Sequence, residues 1–199
     1  MKLIIASNNA HKVVEIRQIL KNYFTDICTL REAGIDIDVV EDGATFTENA
    51  IKKAEEVLSA AAGFDAALAD DSGLMVDALN GAPGVYSARY AGEGHDDAAN
   101  NAKLMADMAG VPDGQRACRF VSAVALARRN RPTLTATGSC EGTLLYEPRG
   151  QNGFGYDPYF FYEPAQKSFA ELSAEEKNAV SHRKRSLEAL KALLDGARA

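Results

Sequence analysis

No apolar run in this 199-residue chain approaches the ~20 consecutive residues that cross a bilayer as a helix, so a membrane partner is not expected. The first apolar stretch, LIIA, is too short for a signal peptide and runs directly into Asn8 and Asn9, so the expected location is the cytosol. Cysteine is scarce. Cys28, Cys118 and Cys140 are an odd number at wide spacing, which suggests neither a disulfide framework nor a zinc site. Positive charge is also short: 22 Lys and Arg stand against 28 Asp and Glu, a net charge of −6. That balance argues against long nucleic acid as the main partner. It leaves room for a small anionic ligand held by a metal ion or a local basic cluster. No internal repeat, low-complexity tract or linker interrupts the chain. What is present is an ordinary globular composition, 46% hydrophobic and 25% charged, suited to a single domain over residues 1–199.

The hydrophobic pattern predicts an α/β or α+β architecture with a mixed sheet. Residues 2–6 read as a buried strand and 10–22 as a helix, joined by Ser7-Asn8-Asn9. Residues 31–43 read as loop, with a short strand near 35–40. Thr45 and Glu48 match the S/T-x-x-E capping box and open a helix over 46–62, with Gly63 as its stop. A short apolar strand over 66–69 ends in Asp70-Asp71-Ser72-Gly73; 74–79 continues to a break at Gly81-Ala82-Pro83-Gly84. A helix over 95–109 stops at Gly110 and Pro112. Residues 119–129 and 133–146 read as an antiparallel strand pair, followed by a glycine-rich loop over 150–158. Ser173 and Glu176 form a second capping box, and Leu187, Leu190, Leu193 and Leu194 mark the apolar face of a C-terminal helix.

Four constellations are chemically suggestive, and each also has a plain structural explanation. In Ser7-Asn8-Asn9-Ala10-His11-Lys12 a strand turns into a helix whose free N–H groups and early lysine suit an anion; the glycines of a Walker loop are missing. The same residues could be an asparagine cap with a solvated lysine. Asp70-Asp71-Ser72-Gly73 places two carboxylates where a strand ends, suited to Mg²⁺ and a polarised water, or to a simple Asx turn. Adjacent strand residues point to opposite faces, so only one of the two acids is expected to face a site. Glu41-Asp42-Gly43 offers a further acid. In Gly150-Gln151-Asn152-Gly153-Phe154-Gly155-Tyr156-Asp157-Pro158 the Phe154 ring, flanked by glycines, could stack on a base, and Asp157 could accept from ring N–H groups. A hairpin loop with tucked aromatics is the structural counterpart. Lys177 and Ser181-His182-Arg183 could be a solvated basic helix face. Lys177 and His182 lie five residues apart, so for both to meet one ligand the helix must break near residues 178–180, with Ser181 capping a new one.

Together these segments resemble the inosine triphosphate pyrophosphatase family, the XTP/dITP pyrophosphatases. The match rests on SNNAHKVVE (7–15), EDGATFTENAIKKA (41–54), ADDSGLMVDALNGAPGVYSARYAG (69–92), GQNGFGYDPYFF (150–161) and ELSAEEKNAVSHR (171–183), in the family's order and over essentially the whole chain. Ser7-Asn8-Asn9 stands where many members have Thr-Gly-Asn. The resemblance implies an elongated two-lobed α/β fold around a mixed sheet, with the nucleotide in a cleft between the lobes. It implies Mg²⁺-dependent hydrolysis of ITP, dITP and XTP to monophosphate and pyrophosphate by a cytoplasmic homodimer. Asp71 matches the catalytic acid that accepts the water's proton and touches Mg²⁺, and Glu41 the second metal carboxylate. Ser7, Asn8, Asn9, Ala10, His11 and Lys12 match the phosphate-holding segment, and Ser72 a substrate contact. Phe154, Gly155, Tyr156, Asp157, Lys177, His182 and Arg183 match the base pocket.

An ordinary carboxylate, with a pKa near 4, is a weak base, so metal activation of the water is expected to share the work with Asp71. A pyrophosphatase with another base preference (dUTP, dTTP or modified pyrimidines) should lack the Ser-His-Arg donors. A nucleotide sensor without hydrolysis should lack Asp71, Glu41 or Lys12. All of these residues are present.

Overall fold

The computed structural model of the protein describes residues 1–7 and 10–196, of which Ala10 and His11 as backbone only. Seven strands form one mixed sheet: β1 (Lys2–Ile5), β2 (Asp26–Thr29), β3 (Ala66–Val76), β4 (Ala117–Arg128), β5 (Arg131–Leu144), β6 (Phe160–Tyr162) and β7 (Lys167–Ser168). Their spatial order is β2-β1-β3-β4-β5-β6-β7. Among the described residues five α-helices accompany them: α1 (Ala10–Leu20), α2 (Phe46–Ala60), α3 (Asp97–Asp107), α4 (Ala174–Val180) and α5 (His182–Gly196). The α/β architecture with a mixed sheet is therefore the one the hydrophobic pattern indicated.

The chain forms two compact units. One comprises Met1–Asp71, Ser122–Gly138 and Arg183–Ala199, the other Ser72–Val121 and Ser139–His182. In the first, β1 pairs parallel with β2 on one side and with β3 on the other. Parallel neighbours need crossovers, which α1 and α2 supply. The chain leaves β1 toward β2 and returns on the opposite side as β3. That reversal of winding direction is where α/β sheets bind ligands, outside the carboxyl ends of the strands. Here those ends carry Ser7 after β1 and the Asp70-Asp71 pair on β3, since Ile5 registers with Leu68. Leu3, Ile5, Ile16, Leu68, Leu126 and Leu187 belong to this unit's core. The second unit has its own core, including Leu74, Leu104, Phe120, Phe160 and Phe169, with three phenylalanine rings in mutual contact at 4.6 to 5.8 Å.

Four sequence expectations need correction. Residues 35–40 form no strand. Ile35, Ile37 and Val39 are half-buried and alternate with exposed Asp36, Asp38 and Val40, so the alternation reports a two-sided environment without a partner ladder. Conversely β2, only four residues long and carrying Asp26 and Thr29, gave no apolar run to read. Asp70-Asp71-Ser72-Gly73 does not end a strand: β3 runs unbroken from Ala66 to Val76. The carboxylates can stay inside the strand because each has a partner, as shown below. Leu193 is 45% exposed and lies off the buried face of α5. Helix α2 starts as expected, with Thr45 and Glu48 reciprocally bonded, but its cap is Ala61; Gly63, at φ 85°, follows two residues later.

Candidate active site

In the first unit, β3 presents Asp70 and Asp71 on opposite faces, and their surroundings differ accordingly. Asp70 is enclosed, its side chain 1% exposed. Its Oδ2 accepts from Arg183 Nε at 2.7 Å and its Oδ1 lies 3.3 Å from Lys12 Nζ. Arg183 Nη1 stands 3.6 Å from Glu15 Oε1. One carboxylate thus ties the first turn of α1 and the first turn of α5 to the central strand. Burial pushes the Lys12 ammonium below the usual lysine range; Asp70 pulls it back up, and Arg183 and Lys53 push it further down.

Asp71 is 8% exposed and its Oδ2 accepts from Asn49 Nδ2 at 3.0 Å. Burial is the main reason its pKa is pushed up to about 6, with the negative charges of Glu41 and Asp70 adding to the rise; Asn49 and Lys53 work against it. Glu41 forms an ion pair with Lys53. Asn49 and Lys53 sit one turn apart on α2, and that i, i+4 spacing puts both on one face of the helix. A cavity of about 240 Å³ adjoins these groups, lined by Ser7, Asp38, Glu41 and Lys53 together with Ile37 and Val57 among others.

The phosphate segment of the first unit is only partly described. Asn8 and Asn9, and the side chains of Ala10 and His11, lie outside the described residues. Ser7 lines the same cavity as Glu41, and Lys12 Nζ lies beside Asp70.

In the second unit the glycine-rich loop folds around Asp157. Its Oδ2 accepts from the Phe154 N–H at 2.9 Å and from Lys177 Nζ at 2.5 Å. Gly153 has φ 77°, and a Cβ there would lie 2.1 Å from that same oxygen, so no side chain fits. Phe154 is 42% exposed, with Lys177 Nζ 4.6 Å from its ring centre. Helix α3 holds the loop by both backbone groups of Gly155: Asp97 accepts its N–H at 2.7 Å, and Asn101 Nδ2 donates to its carbonyl at 2.9 Å. The Tyr156 hydroxyl is buried and donates to the Ser87 carbonyl at 2.8 Å, and burial raises its pKa above the usual range. Ser72 is half-buried. The helix break expected near residues 178–180 falls at Ser181, which has φ −65° and ψ 153° between α4 and α5. His182 begins the new helix, buried and stacked on Phe120 at 5.0 Å.

Two groups of expected residues are thus assembled. Asp71, Glu41, Ser7 and Lys12 are gathered in the first unit, and Phe154, Gly155, Asp157 and Lys177 in the second. Arg183, expected beside the base, is part of the Asp70 cluster. Asn49, Lys53, Asp97 and Asn101 were missed, and Asp70 was read only as one of the two adjacent acids. Helix periodicity from the Thr45 cap contained the signal for the first two, since 49 and 53 share a face with the buried Phe46 stripe. Nothing local distinguishes Asp97 or Asn101.

The Ham1 family model matches residues 3–193. The dITP/XTP pyrophosphatase of Clostridium perfringens is 50% identical over 199 residues, covering 98% of either chain. The protein of the same name from Leuconostoc mesenteroides is 51% identical, over 96% of this chain and 94% of its own. The structure of the Staphylococcus aureus Ham1 protein superposes with a TM-score of 0.88 at 40% identity, covering 99% of this chain and 100% of that one.

Proposed function

This chain belongs to the Ham1 family and is a pyrophosphatase of deaminated purine nucleoside triphosphates, dITP and XTP among them, and from that footing we propose which of its groups perform the reaction. The observation that carries the reading is the buried Asp71 carboxylate, with its pKa pushed up to about 6. Asp71 Oδ1 takes the proton of a water that attacks the anhydride between the α and β phosphates, releasing monophosphate and pyrophosphate. A base poised near 6 is still ionised at neutral pH and holds the proton more firmly than a carboxylate near 4.

Lys12, with the backbone N–H groups at the start of α1, binds the phosphate oxygens, and an arriving anion favours the charge that burial disfavours on Lys12. Lys53 neutralises charge from the other side of the carboxylates. Asp71 and Glu41 supply hard oxygens, the donor type Mg²⁺ selects, and Asp71 already feels the negative charge of Glu41. Those two residues are the ones that would hold Mg²⁺, which would polarise the phosphates and acidify the water. In the second unit Phe154 stacks on the purine, with Gly155 and Tyr156 beside it. Lys177, Asp157 and His182 supply polar contacts to its edge. Ser72 contacts the substrate next to Asp71. On this reading the protein acts on free nucleotides in the cytoplasm as a homodimer.

The test is a panel of nucleoside triphosphates with Mg²⁺, scored separately for pyrophosphate and orthophosphate. dITP and XTP should outpace ATP and GTP and release pyrophosphate. Release of orthophosphate alone, or equal rates across the panel, overturns the reading.

A further inference from the structure

We propose that Asn49 is the positioning residue of the carboxylate pair, its one carboxamide joining the backbone of the Glu41-Asp42-Gly43 turn to the side chain of Asp71. This rests on the reading of Asp71 as the base. Asn49 is 1% exposed and both ends of its amide are engaged. Its Oδ1 accepts from the Gly43 N–H at 2.7 Å, and its Nδ2 donates to Asp71 Oδ2 at 3.0 Å. The orientation follows from the partners. A backbone N–H can only donate and an ionised carboxylate can only accept, so a flipped amide would set donor against donor and acceptor against acceptor.

Helix stability does not call for asparagine here. A buried position in the second turn of α2 would be better filled by Ala or Leu, and an amide enclosed there costs free energy unless both ends are bonded. The network requires it. Glu41 stands two residues before Gly43, so the amide fixes the turn that carries one acid relative to the strand that carries the other. Gly43 is part of the device: a Cβ at that position would lie 2.7 Å from Asn49 Oδ1 and 2.9 Å from Glu48 Cβ. By occupying Oδ2, Asn49 also decides that Oδ1 is the oxygen Asp71 turns toward the reacting water.

The experiment compares Asn49→Ala and Asn49→Asp with the parent, using dITP and Mg²⁺ at pH 8. Asn49→Asp is nearly isosteric and keeps the acceptor for Gly43, so it preserves the fold if the alanine variant does not. Loss of one hydrogen bond to a charged group predicts a fall in kcat of about 10- to 100-fold, with KM for dITP within about 3-fold. Mg²⁺ alone, titrated into the free protein by calorimetry, should bind at least about 3-fold more weakly to Asn49→Ala, the size of effect expected when a residue supporting metal ligands is lost. In an Asp71→Asn background, Asn49→Ala should lower kcat little further, because its target is already gone. Wild-type kcat in both Asn49 variants, an effect on KM alone, or the same loss in both backgrounds overturns the proposal while the reading of Asp71 stands. Near-normal turnover by Asp71→Asn itself removes both.

Discussion

Asp70 and Asp71 are adjacent in sequence and chemically unlike. Asp70 lies between Lys12 and Arg183 and anchors them, whereas Asp71 faces one amide and the charge of Glu41. The raised pKa of Asp71 makes a stability prediction with a definite sign. Below about pH 4 both folded and unfolded chains carry the protonated acid, and the residue contributes no difference. Between pH 4 and 6 the unfolded chain loses this proton and the folded one keeps it, so stability falls as pH rises. Above 6 the full penalty remains, about 3 kcal/mol for a rise of roughly two pKa units. Asp71→Asn in metal-free buffer at pH 7.5 should therefore be more stable by up to that amount, and equal to the parent near pH 4, while kcat drops by at least about 100-fold. Chemical denaturation at the two pH values reads the first effect; a variant no more stable at pH 7.5 contradicts it.

Arg183 belongs to the same scale. The 6-keto oxygen of hypoxanthine and xanthine accepts a hydrogen bond where adenine's amino group donates, and guanidinium donates only. If Arg183 reads that oxygen, Arg183→Ala lowers kcat/KM for ITP more than for ATP and shrinks their ratio. Equal losses on both nucleotides would instead mean that it acts only by holding Asp70, and with it Lys12.

Among the elements, α2 and α3 do the positioning. Helix α2 brings Asn49 and Lys53 to the carboxylates from one face, with its start set by the Thr45–Glu48 box. Helix α3 clasps Gly155 from Asp97 and Asn101, again one turn apart. That clasp fixes the loop that carries Phe154 without touching the reacting atoms. Asn101→Ala, which removes one net hydrogen bond of about 1 kcal/mol, should raise KM for dITP about 5-fold and leave kcat within about 2-fold. Steady-state kinetics decide it, and a fall in kcat with KM unchanged would place the loop in the chemistry itself.

At the scale of the molecule, each compact unit has a separate hydrophobic core, and β3 contributes residues to both, with the boundary between Asp71 and Ser72. The candidate base thus sits at the last residue of one unit and the candidate substrate contact at the first of the other. The proposed homodimer predicts that light scattering at micromolar concentration gives twice the mass of the chain; a monomer would remove it.

Local patterns decided a good deal. The capping residues Thr45 and Ser173 announced where α2 and α4 begin, because a cap is written within four residues. The apolar runs marked β1, β3, β4 and β5, and the spacing of Lys177 and His182 foretold a helix break. The five motifs in order carried the family, and with it Asp71, Glu41 and Lys12 as candidates. Three things depended on the fold. β2 is a strand because it pairs with β1, not because of its own residues. Asp70-Asp71-Ser72-Gly73 stays extended because partners 22 to 113 residues away satisfy its acids, a compensation no local pattern records. The raised pKa of Asp71 and the contacts of Asn49 and Arg183 follow from burial and charge, which exist only once distant segments are packed together.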